Sequence, residues 1–364
     1  MYPKLIAFHL PQFHPIPEND EWWGKGFTEW TNVAAARSLF PGHDQPRLPA
    51  DLGYYDLRLP EAQCAQAELA RRYGIHGFCY WHYWFHGRRL LERPVNEILR
   101  TGEPDFPFCL AWANESWSRS WLGDNRQILV DQTYSAEDDI AHARWLADAF
   151  ADGRYIRVEG RPLLLVYRPT SLPDARRTTD AFRREIERLG LPNPYLVGIN
   201  AHARHIDMRS LGFDMTEHHE PQLGVLPGVF TKASLKWKVR QKAYKVLGWP
   251  RHTFEYSDAR SWMDRVLPKY PHFRSYFVGW DNTARRGKDG IIITGATPDA
   301  VGEGLRGVLQ ETMRRPPSEQ IVFLNAWNEW AEGMYLEPDR RYGLRRLEVI
   351  KECLDSVEVV ACES

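Results

Sequence analysis

Two glutamates stand three residues apart in a tryptophan-rich segment near the end of the chain. Glu329 and Glu332 are flanked by Trp327 and Trp330. On a helical turn, side chains three residues apart share one face, with Cβ atoms about 5–6 Å apart. Glycosidases need two carboxylates beside the scissile bond, and a short separation is typical of retention of configuration. Neighbouring indoles would exclude water and keep one carboxyl protonated as a general acid. The pair therefore predicts acid–base chemistry on a glycosidic bond.

A Glu-x-x-Glu pair also occurs on ordinary solvated helices, so the elements around it decide between the two interpretations. The chain alternates short apolar runs with helical patterns, which is typical of a parallel sheet built from βα units. Eight such runs predict the strands of a (β/α)8 barrel: residues 5–9, 77–82, 108–113, 163–167, 195–200, 213–217, 276–280 and 321–326. A doubly wound open sheet is the alternative fold, but no GxGxxG follows the first strand. The glutamates follow the eighth strand.

Helical patterns alternate with these strands. We expect helices near residues 60–73, 92–100, 135–151, 173–189, 203–210, 257–267, 299–314 and 343–356. The whole chain, 1–364, is predicted to form one barrel domain, because a barrel with long loops fills this length. Two insertions, about 11–58 and 218–256, follow predicted strands one and six, so both should stand over the active-site face.

Polar and aromatic residues collect at the carboxyl ends of all eight predicted strands, whereas the opposite ends are plain loops. Barrel enzymes gather their reactive groups at that end. The strand-end residues expected to contact a substrate are His9, Gln12, Tyr80, His82, Trp112, Asn114, Glu115, Tyr167, Asn200, Glu217, His218, Trp280, Asp281, Trp327 and Asn328. Aromatic rings beside hydrogen-bonding groups match the CH faces and hydroxyls of sugars. The chain has 15 tryptophans, 16 tyrosines and 16 phenylalanines, although large aromatics also fill cores.

Two of these positions and one short run of residues have open alternatives. Glu115 could bind a sugar or pair with Arg119, and Asp281 could orient a substrate hydroxyl or cap the following turn. The run from Glu217 to Glu220 looks like a metal cluster, but neighbours on a strand point to opposite faces and HExxH spacing is absent. We therefore expect no metal, and no cofactor motif such as a P-loop is present.

Composition excludes several classes of partner. The formal net charge is −1, so nothing draws the chain to nucleic acid. No apolar run approaches a membrane span and no secretory signal precedes the first strand. Five cysteines without a CxxC pair predict free thiols and a cytoplasmic location.

One stretch departs from this even charge distribution. Its cations are Lys232, Lys236, Lys238, Arg240, Lys242 and Lys245. The first interpretation is a solvated helix face. The second is a binding site for an anionic glycan or a lipid-linked substrate, with peripheral association of the protein at a membrane surface.

Several motifs together resemble a known family. They are residues 10–20 (LPQFHPIPEND), 22–30 (WWGKGFTEW), 78–85 (FCYWHYWF), 112–115 (WANE) and 336–343 (LEPDRRYG). Over nearly its full length the chain resembles the WbsX-like proteins of bacterial polysaccharide and O-antigen gene clusters. The segment 328–333 (NEWAEG), followed by Glu337 and Pro338, is similar to the catalytic segment of glycoside hydrolase family 99, the endo-α-mannosidases. Trp30 and Glu337, in these motifs, join the residues expected to contact substrate.

The resemblance implies a (β/α)8 fold and a retaining mechanism through a 1,2-anhydro sugar. By motif position, Glu329 resembles the base on the substrate 2-hydroxyl and Glu332 resembles the general acid/base. The implied substrates are α-manno- or α-rhamno-configured units of a bacterial surface polysaccharide. Ala331 stands where family 99 enzymes carry His, so a mannosidase substrate is not assumed. WbsX-like proteins are often labelled glycosyltransferases, and transfer in O-antigen or lipopolysaccharide biosynthesis is the alternative function.

Overall fold

Eight parallel strands form the centre of the molecule in the computed structural model, which describes residues 2–118, 127–201, 206–226 and 235–363. In chain order they are β1 Lys4–His9, β2 Ile75–Phe85, β3 Phe108–Trp112, β4 Arg161–Val166, β5 Tyr195–Ile199, β6 Met215–His218, β7 His272–Phe277 and β8 Ile321–Asn325. Each strand pairs with its neighbours in sequence. The first strand also pairs with the last, Lys4 opposite Ile321 and Ala7 opposite Leu324, so the sheet closes. The (β/α)8 barrel predicted from the sequence is confirmed.

Helices surround the barrel and occupy its loops. They are α1 Pro17–Trp23, α2 Glu29–Ala35, α3 Pro60–Arg72, α4 Arg93–Thr101, α5 Ala136–Phe150, α6 Ala175–Arg188, α7 Leu235–Leu247, α8 Tyr256–Arg265, α9 Thr283–Arg286, α10 Pro298–Met313 and α11 Arg345–Glu363. Local sequence explains where several begin. Ser135, Asp174 and Thr297 accept backbone N–H groups as N-caps of α5, α6 and α10. Proline occupies the first turn of α3, where its missing N–H costs nothing.

The seventh strand differs from its predicted position. It was expected at 276–280 but spans His272–Phe277. The strand begins with polar residues, so its first half does not form an apolar run. Arg274 is buried nonetheless, because its guanidinium pairs with Glu311 and lies near Glu220. Trp280 and Asp281 belong instead to a small separate sheet with Ile291–Thr294 and His252–Glu255.

One predicted helix is largely replaced by a shorter element. The pattern at 203–210 predicted a barrel helix, but the described part of this segment holds a 3-10 turn, Met208–Leu211. Residues 202–205 lie outside the described ranges. The insertion after β1 carries α1 and α2, and the insertion after β6 carries α7. The organisation of 1–364 as a single domain stays a prediction.

Four cysteines in the described ranges are free thiols. They are Cys64, Cys79, Cys109 and Cys353, and Cys79 lies opposite Cys109 on the neighbouring strand.

Within the described ranges, no helix combines the length and the apolar character needed to cross a bilayer.

Two glycines of α10 test how tightly the outer helices pack. A Cβ at Gly302 would overlap Cγ1 of Val349 on α11, whereas a Cβ at Gly307 would meet no atom within 4 Å. Gly302→Ala should therefore lower the free energy of unfolding by about 1–3 kcal/mol through overpacking. Gly307→Ala, the matched control, should raise it by up to about 1 kcal/mol through helix propensity. Chemical denaturation measures both. Equal effects of the two substitutions would contradict this packing.

Candidate active site

Glu329 and Glu332 lie in a tight loop that follows β8. Asn328 and Glu329 pair antiparallel with Met334 and Tyr335, and a 3-10 turn, Trp330–Glu332, joins the two short strands. Glu329 immediately precedes this turn and Glu332 ends it, and both carboxylates lie near the guanidinium of Arg285. The geometry therefore keeps both carboxylates on one side of the loop, as the sequence spacing predicted for a helical turn.

Asn328 attaches this loop to the first strand of the barrel. Its Oδ1 accepts the backbone N–H of Leu10 at 2.7 Å, and its Nδ2 donates to the carbonyl of Leu10 at 3.0 Å. The same Nδ2 lies 3.2 Å from the Tyr55 hydroxyl. Asn328 is completely buried, and these hydrogen bonds fix the position of the loop.

Glu337 anchors the other end of the loop in the protein interior. Its carboxylate accepts hydrogen bonds from Tyr55 Oη at 2.9 Å, Gln66 Nε2 at 2.7 Å and Trp330 Nε1 at 2.6 Å. Burial raises the pKa of Glu337 to about 7, although these three donors oppose the shift. Three donors from three segments bind one carboxylate, so Glu337 links these segments to the end of the loop.

Arg285 of α9 joins the two glutamates to a third carboxylate. Its Nη1 donates to Glu332 Oε1 at 2.6 Å, and its Nη2 lies 2.7 Å from Glu29 Oε1 and 3.4 Å from Glu329 Oε2. Glu29, the first residue of α2, also accepts the backbone N–H of Ala331 at 3.0 Å. Three carboxylates thus share one guanidinium. Their joint ionisation would leave an excess of negative charge in a buried site.

This shortage of positive charge favours retention of a proton. The pKa of Glu329 is raised to about 8, first by burial and then by the charge of Glu332, with Arg285 opposing. Burial also raises the pKa of Glu332, but Arg285 contacts that carboxylate more closely and favours its ionised form. A proton is therefore favoured on Glu329 over Glu332. Two carboxyls that share a proton titrate as a unit.

The glutamates face a cavity of about 540 Å³ at the carboxyl ends of the strands. Its wall is rich in aromatic side chains and includes Trp23, Trp81, Tyr83, Trp117, Tyr167 and Trp280. Amide and imidazole groups lie among them. A cavity that alternates rings with hydrogen-bonding groups suits an oligosaccharide.

Three buried donors on this wall make no hydrogen bond within the described part of the chain. They are Nε2 of Gln12, Nδ2 of Asn19 and Nε1 of Trp280. Buried donors are normally satisfied, so an unpaired one at a cavity is a candidate contact for a ligand. Of these residues, Gln12 and Trp280 were predicted to contact substrate.

His219 is a third polar group at the cavity. Its Nδ1 lies 3.2 Å from both carboxylate oxygens of Glu217, and its Nε2 lies 3.3 Å from Asn325 Nδ2. An imidazole that donates from Nδ1 to Glu217 and accepts at Nε2 from Asn325 satisfies both contacts. His219 lies on the same cavity wall as Glu332.

The cavity brings together six of the residues predicted from the sequence. These are Gln12, Glu115, Tyr167, Trp280, Glu329 and Glu332. The other predicted residues lie outside the described cavity wall: His9, Trp30, Tyr80, His82, Trp112, Asn114, Asn200, Glu217, His218, Asp281, Trp327, Asn328 and Glu337. Alternation along the strands explains many of these placements, because successive side chains point to opposite faces. Trp81 and His219 line the cavity, and so their neighbours His82 and His218 face away from it.

The residues outside the wall have structural contacts. His9 contacts Gln66 of α3 at 3.2 Å, and burial lowers the pKa of His9 to about 3. His82 lies 2.9 Å from His142 of α5. The Trp112 indole N–H donates to the carbonyl of Trp84.

Glu115 and Asp281, for which the sequence left two roles open, each contact other residues of the protein. Glu115 lines the cavity and pairs with Arg168 at 2.6 Å, while Arg119 lies outside the described residues. Asp281 accepts the backbone N–H of Thr283 at 3.1 Å and contacts His43 at 2.9 Å. It therefore caps the turn that begins α9 and ties the first insertion to it.

Several cavity residues were not predicted from the sequence, among them Trp81, Tyr83, Trp117, His219 and Arg285. Strand alternation could have identified Trp81 and Tyr83, which flank the outward-facing His82. Nothing local marks Arg285, because its role depends on contacts with Glu29 and Glu332, 256 and 47 residues away.

No group of three or more His, Cys, Asp or Glu side chains within the described ranges could hold a metal ion. Glu217 and His219 interact with each other, but His218 points elsewhere, toward Gln222. Neighbouring side chains in this run therefore point in different directions, as expected for extended chain.

Sequence comparisons identify relatives over the whole chain. A family model described as Glycosyltransferase WbsX matches residues 5–350. Two proteins described as uncharacterized protein WxcX, from two strains of Xanthomonas campestris pv. campestris, are each 42% identical over 360 and 361 residues. These matches cover 99% of this chain but 50% of either relative, so the chain spans about half the length of the curated relatives it matches.

Solved structures with the same fold include the GH99 endo-α-mannosidase from Bacteroides thetaiotaomicron. Its complex with bis-tris-propane has a TM-score of 0.58 at 14% identity, covering 99% of this chain and 98% of that one. A second structure of it scores 0.57 at 15% identity, with 98% of both chains covered. A glycoside hydrolase-like protein scores 0.58 at 13% identity, covering 97% and 94%. At these identities the likeness concerns the fold.

The raised pKa of Glu329 predicts a pH-dependent effect of Glu329→Gln on stability. Between about pH 4.5 and 8 the folded protein holds a proton that the unfolded chain has released, so this group destabilises the fold increasingly as pH rises. Gln cannot ionise and removes that cost. The difference in Tm, variant minus wild type, should therefore increase from pH 5 to pH 8. Glu303→Gln, at an exposed position of α10, controls for loss of a carboxylate. A difference that stays constant or falls over this range would contradict the assignment.

Proposed function

The chain belongs to the family described as Glycosyltransferase WbsX, and we propose that it is a retaining glycosidase or transglycosidase. Its substrates would be α-manno- or α-rhamno-configured units of a bacterial surface polysaccharide. The observation that carries the proposal is the buried pair Glu329 and Glu332, held by Arg285 at the wall of an aromatic cavity. Two carboxyls sharing one proton supply an acid and a base at the same bond.

In the first step of the proposed reaction the substrate supplies the nucleophile. Glu329 takes the proton of the 2-hydroxyl, and the resulting oxygen attacks the anomeric carbon. The bond to the leaving oxygen breaks as Glu332 donates a proton to it. In α-manno and α-rhamno sugars the axial 2-hydroxyl lies anti to the leaving group, so the displacement is in line. The product of this step is a 1,2-anhydro sugar.

The second step reverses these roles. Glu332, now a carboxylate, takes a proton from water or from a sugar hydroxyl, whose oxygen attacks the anomeric carbon. The bond from that carbon to O2 breaks, and Glu329 returns its proton to O2. Two inversions at one carbon give net retention. Water as acceptor makes the enzyme a hydrolase, and a sugar hydroxyl makes it a transglycosidase.

Substrate binding must move the shared proton before this chemistry begins. In the free site the proton favours Glu329, whereas the proposed first step needs Glu329 ionised and Glu332 protonated. A hydrogen bond donated by the 2-hydroxyl to Glu329 favours its ionised form. The leaving oxygen would at the same time accept a hydrogen bond from protonated Glu332. The substrate's own polar groups therefore favour the reactive protonation state.

The family description names a glycosyltransferase. The second candidate function is therefore sugar transfer from a nucleotide sugar, which we would place in O-antigen or lipopolysaccharide assembly. This function would require a nucleotide site. A nucleoside diphosphate should then raise the Tm, and a sugar nucleotide should donate to an acceptor. Neither effect is expected of a glycosidase.

Variants of the two glutamates test the assigned roles. If Glu332 protonates the leaving oxygen, Glu332→Gln should slow turnover of unactivated α-linked oligosaccharides by roughly 100-fold or more. The loss should shrink on aryl α-glycosides whose phenolate leaves without help. Glu329→Gln should lose activity on both, because deprotonation of the 2-hydroxyl is needed whatever the leaving group. Initial rates on the two substrate classes measure this.

Glu115→Gln is the matched control, since Glu115 also lines the cavity but pairs with Arg168. It should show the same modest change on both substrate classes. Equal losses for Glu332→Gln on both classes would rule out Glu332 as the acid. Leaving-group dependence in Glu329→Gln instead would reverse the two roles.

A further inference from the structure

Helix α7 carries the most exposed apolar side chains in the described part of the molecule. Leu235, Val239 and Val246 are 79%, 63% and 81% exposed, and Leu247 is 56% exposed. Leu235, Val239 and Val246 are separated by four and seven residues, so they form one stripe along the helix. A contiguous exposed apolar stripe is costly in water and commonly marks an interaction surface.

Lysines form a second stripe beside this one. Lys238, Lys242 and Lys245 are all exposed and are separated by four and three residues. The ammonium of Lys288 lies next to Gly248, just beyond the end of the helix, and extends the positive surface. The formal net charge of the whole chain is −1, so this concentration of cations is local.

The opposite side of α7 attaches it to the barrel. The Tyr244 ring packs on Trp249 at 5.6 Å, and Trp249 packs on Phe40 at 5.6 Å. Phe40 stacks on His43, which contacts Asp281. At 100° per residue, Tyr244 lies on the far side of the helix from Val246. The contacts that hold α7 therefore leave its apolar and basic stripes turned outward.

We propose that α7 docks on the surface of an anionic lipid bilayer. The apolar stripe would enter the boundary between headgroups and acyl chains, and the lysines would contact anionic headgroups. A helix that joins apolar side chains to flanking lysines matches such a surface in both polarity and charge. Because α7 follows β6, docking would hold the carboxyl-end face, and with it the cavity, close to the membrane. The proposal is independent of the reaction at Glu329 and Glu332.

Cosedimentation with vesicles tests this docking. The full chain should bind vesicles of phosphatidylcholine and phosphatidylglycerol at 3:1, and bind pure phosphatidylcholine at least about 10-fold more weakly. The combined change Lys238→Glu, Lys242→Glu, Lys245→Glu should lower the partition coefficient at least about 10-fold. The pair Val239→Ser, Val246→Ser should also weaken binding, because the apolar contact is lost. High salt should weaken binding of the wild type.

The control carries the same charge change elsewhere. Arg184→Glu, Arg306→Glu and Arg314→Glu replace three exposed arginines of other helices, and together they should change the partition coefficient less than about twofold. Unchanged melting temperatures would show that all variants fold. Anionic vesicle binding that both α7 variants leave intact would overturn the proposal. So would a concentration-dependent dimer, abolished by the valine changes without any vesicle binding, which would assign the stripe to a second copy. Binding to a soluble polyanion but not to vesicles would equally overturn it.

Discussion

The site depends on a single buried cation shared by three carboxylates. Arg285 contacts Glu332 and Glu29 directly and lies 3.4 Å from Glu329. One guanidinium cannot neutralise three ionised carboxylates, so a proton is favoured on Glu329, the carboxyl that Arg285 contacts least closely. Hydrogen bonds from the substrate must then shift that proton preference to Glu332 before the proposed acid–base step begins. Without Arg285 the glutamates would both be favoured as neutral acids, and no base would remain.

The surrounding structure serves to hold this arrangement in place. Glu29 reaches the site from the first insertion, Arg285 from the connection after β7, and the glutamates from the loop after β8. Asn328 fastens that loop to the end of β1, and Glu337 fastens it to Gln66 of α3. Asp281 ties the first insertion to α9 through His43. Several residues predicted as substrate contacts, among them Asn328, Glu337 and Asp281, lie outside the cavity wall and contact the segments that carry it.

Much of this could be predicted from local patterns. Apolar runs of strand length located seven of the eight strands closely, and the spacing of Glu329 and Glu332 predicted two carboxylates on one face. The seventh strand was predicted at the wrong position because a charged residue such as Arg274 is typical of a loop. Its burial in the strand depends on contacts with Glu311 and Glu220, which the local sequence does not reveal. The cavity lies at the polar ends of the strands, where the sequence predicted it. Choosing the side chains that line it requires knowing which residues of each strand point inward. His219 rather than His218 lines the cavity for that reason, and Arg285 carried no sequence signal at all.

The central claim is that the glutamate pair works with the substrate's own 2-hydroxyl and forms no bond to the sugar. The most direct measurement compares an α-glycosyl fluoride of manno or rhamno configuration with its 2-deoxy-2-fluoro analogue, by fluoride release and by intact-protein mass. The account predicts fluoride release from the first compound with an α-configured initial product. It predicts no release from the analogue and an unchanged protein mass. A mass increase of one fluorosugar located on Glu329 would contradict it, because Glu329 would then be the nucleophile.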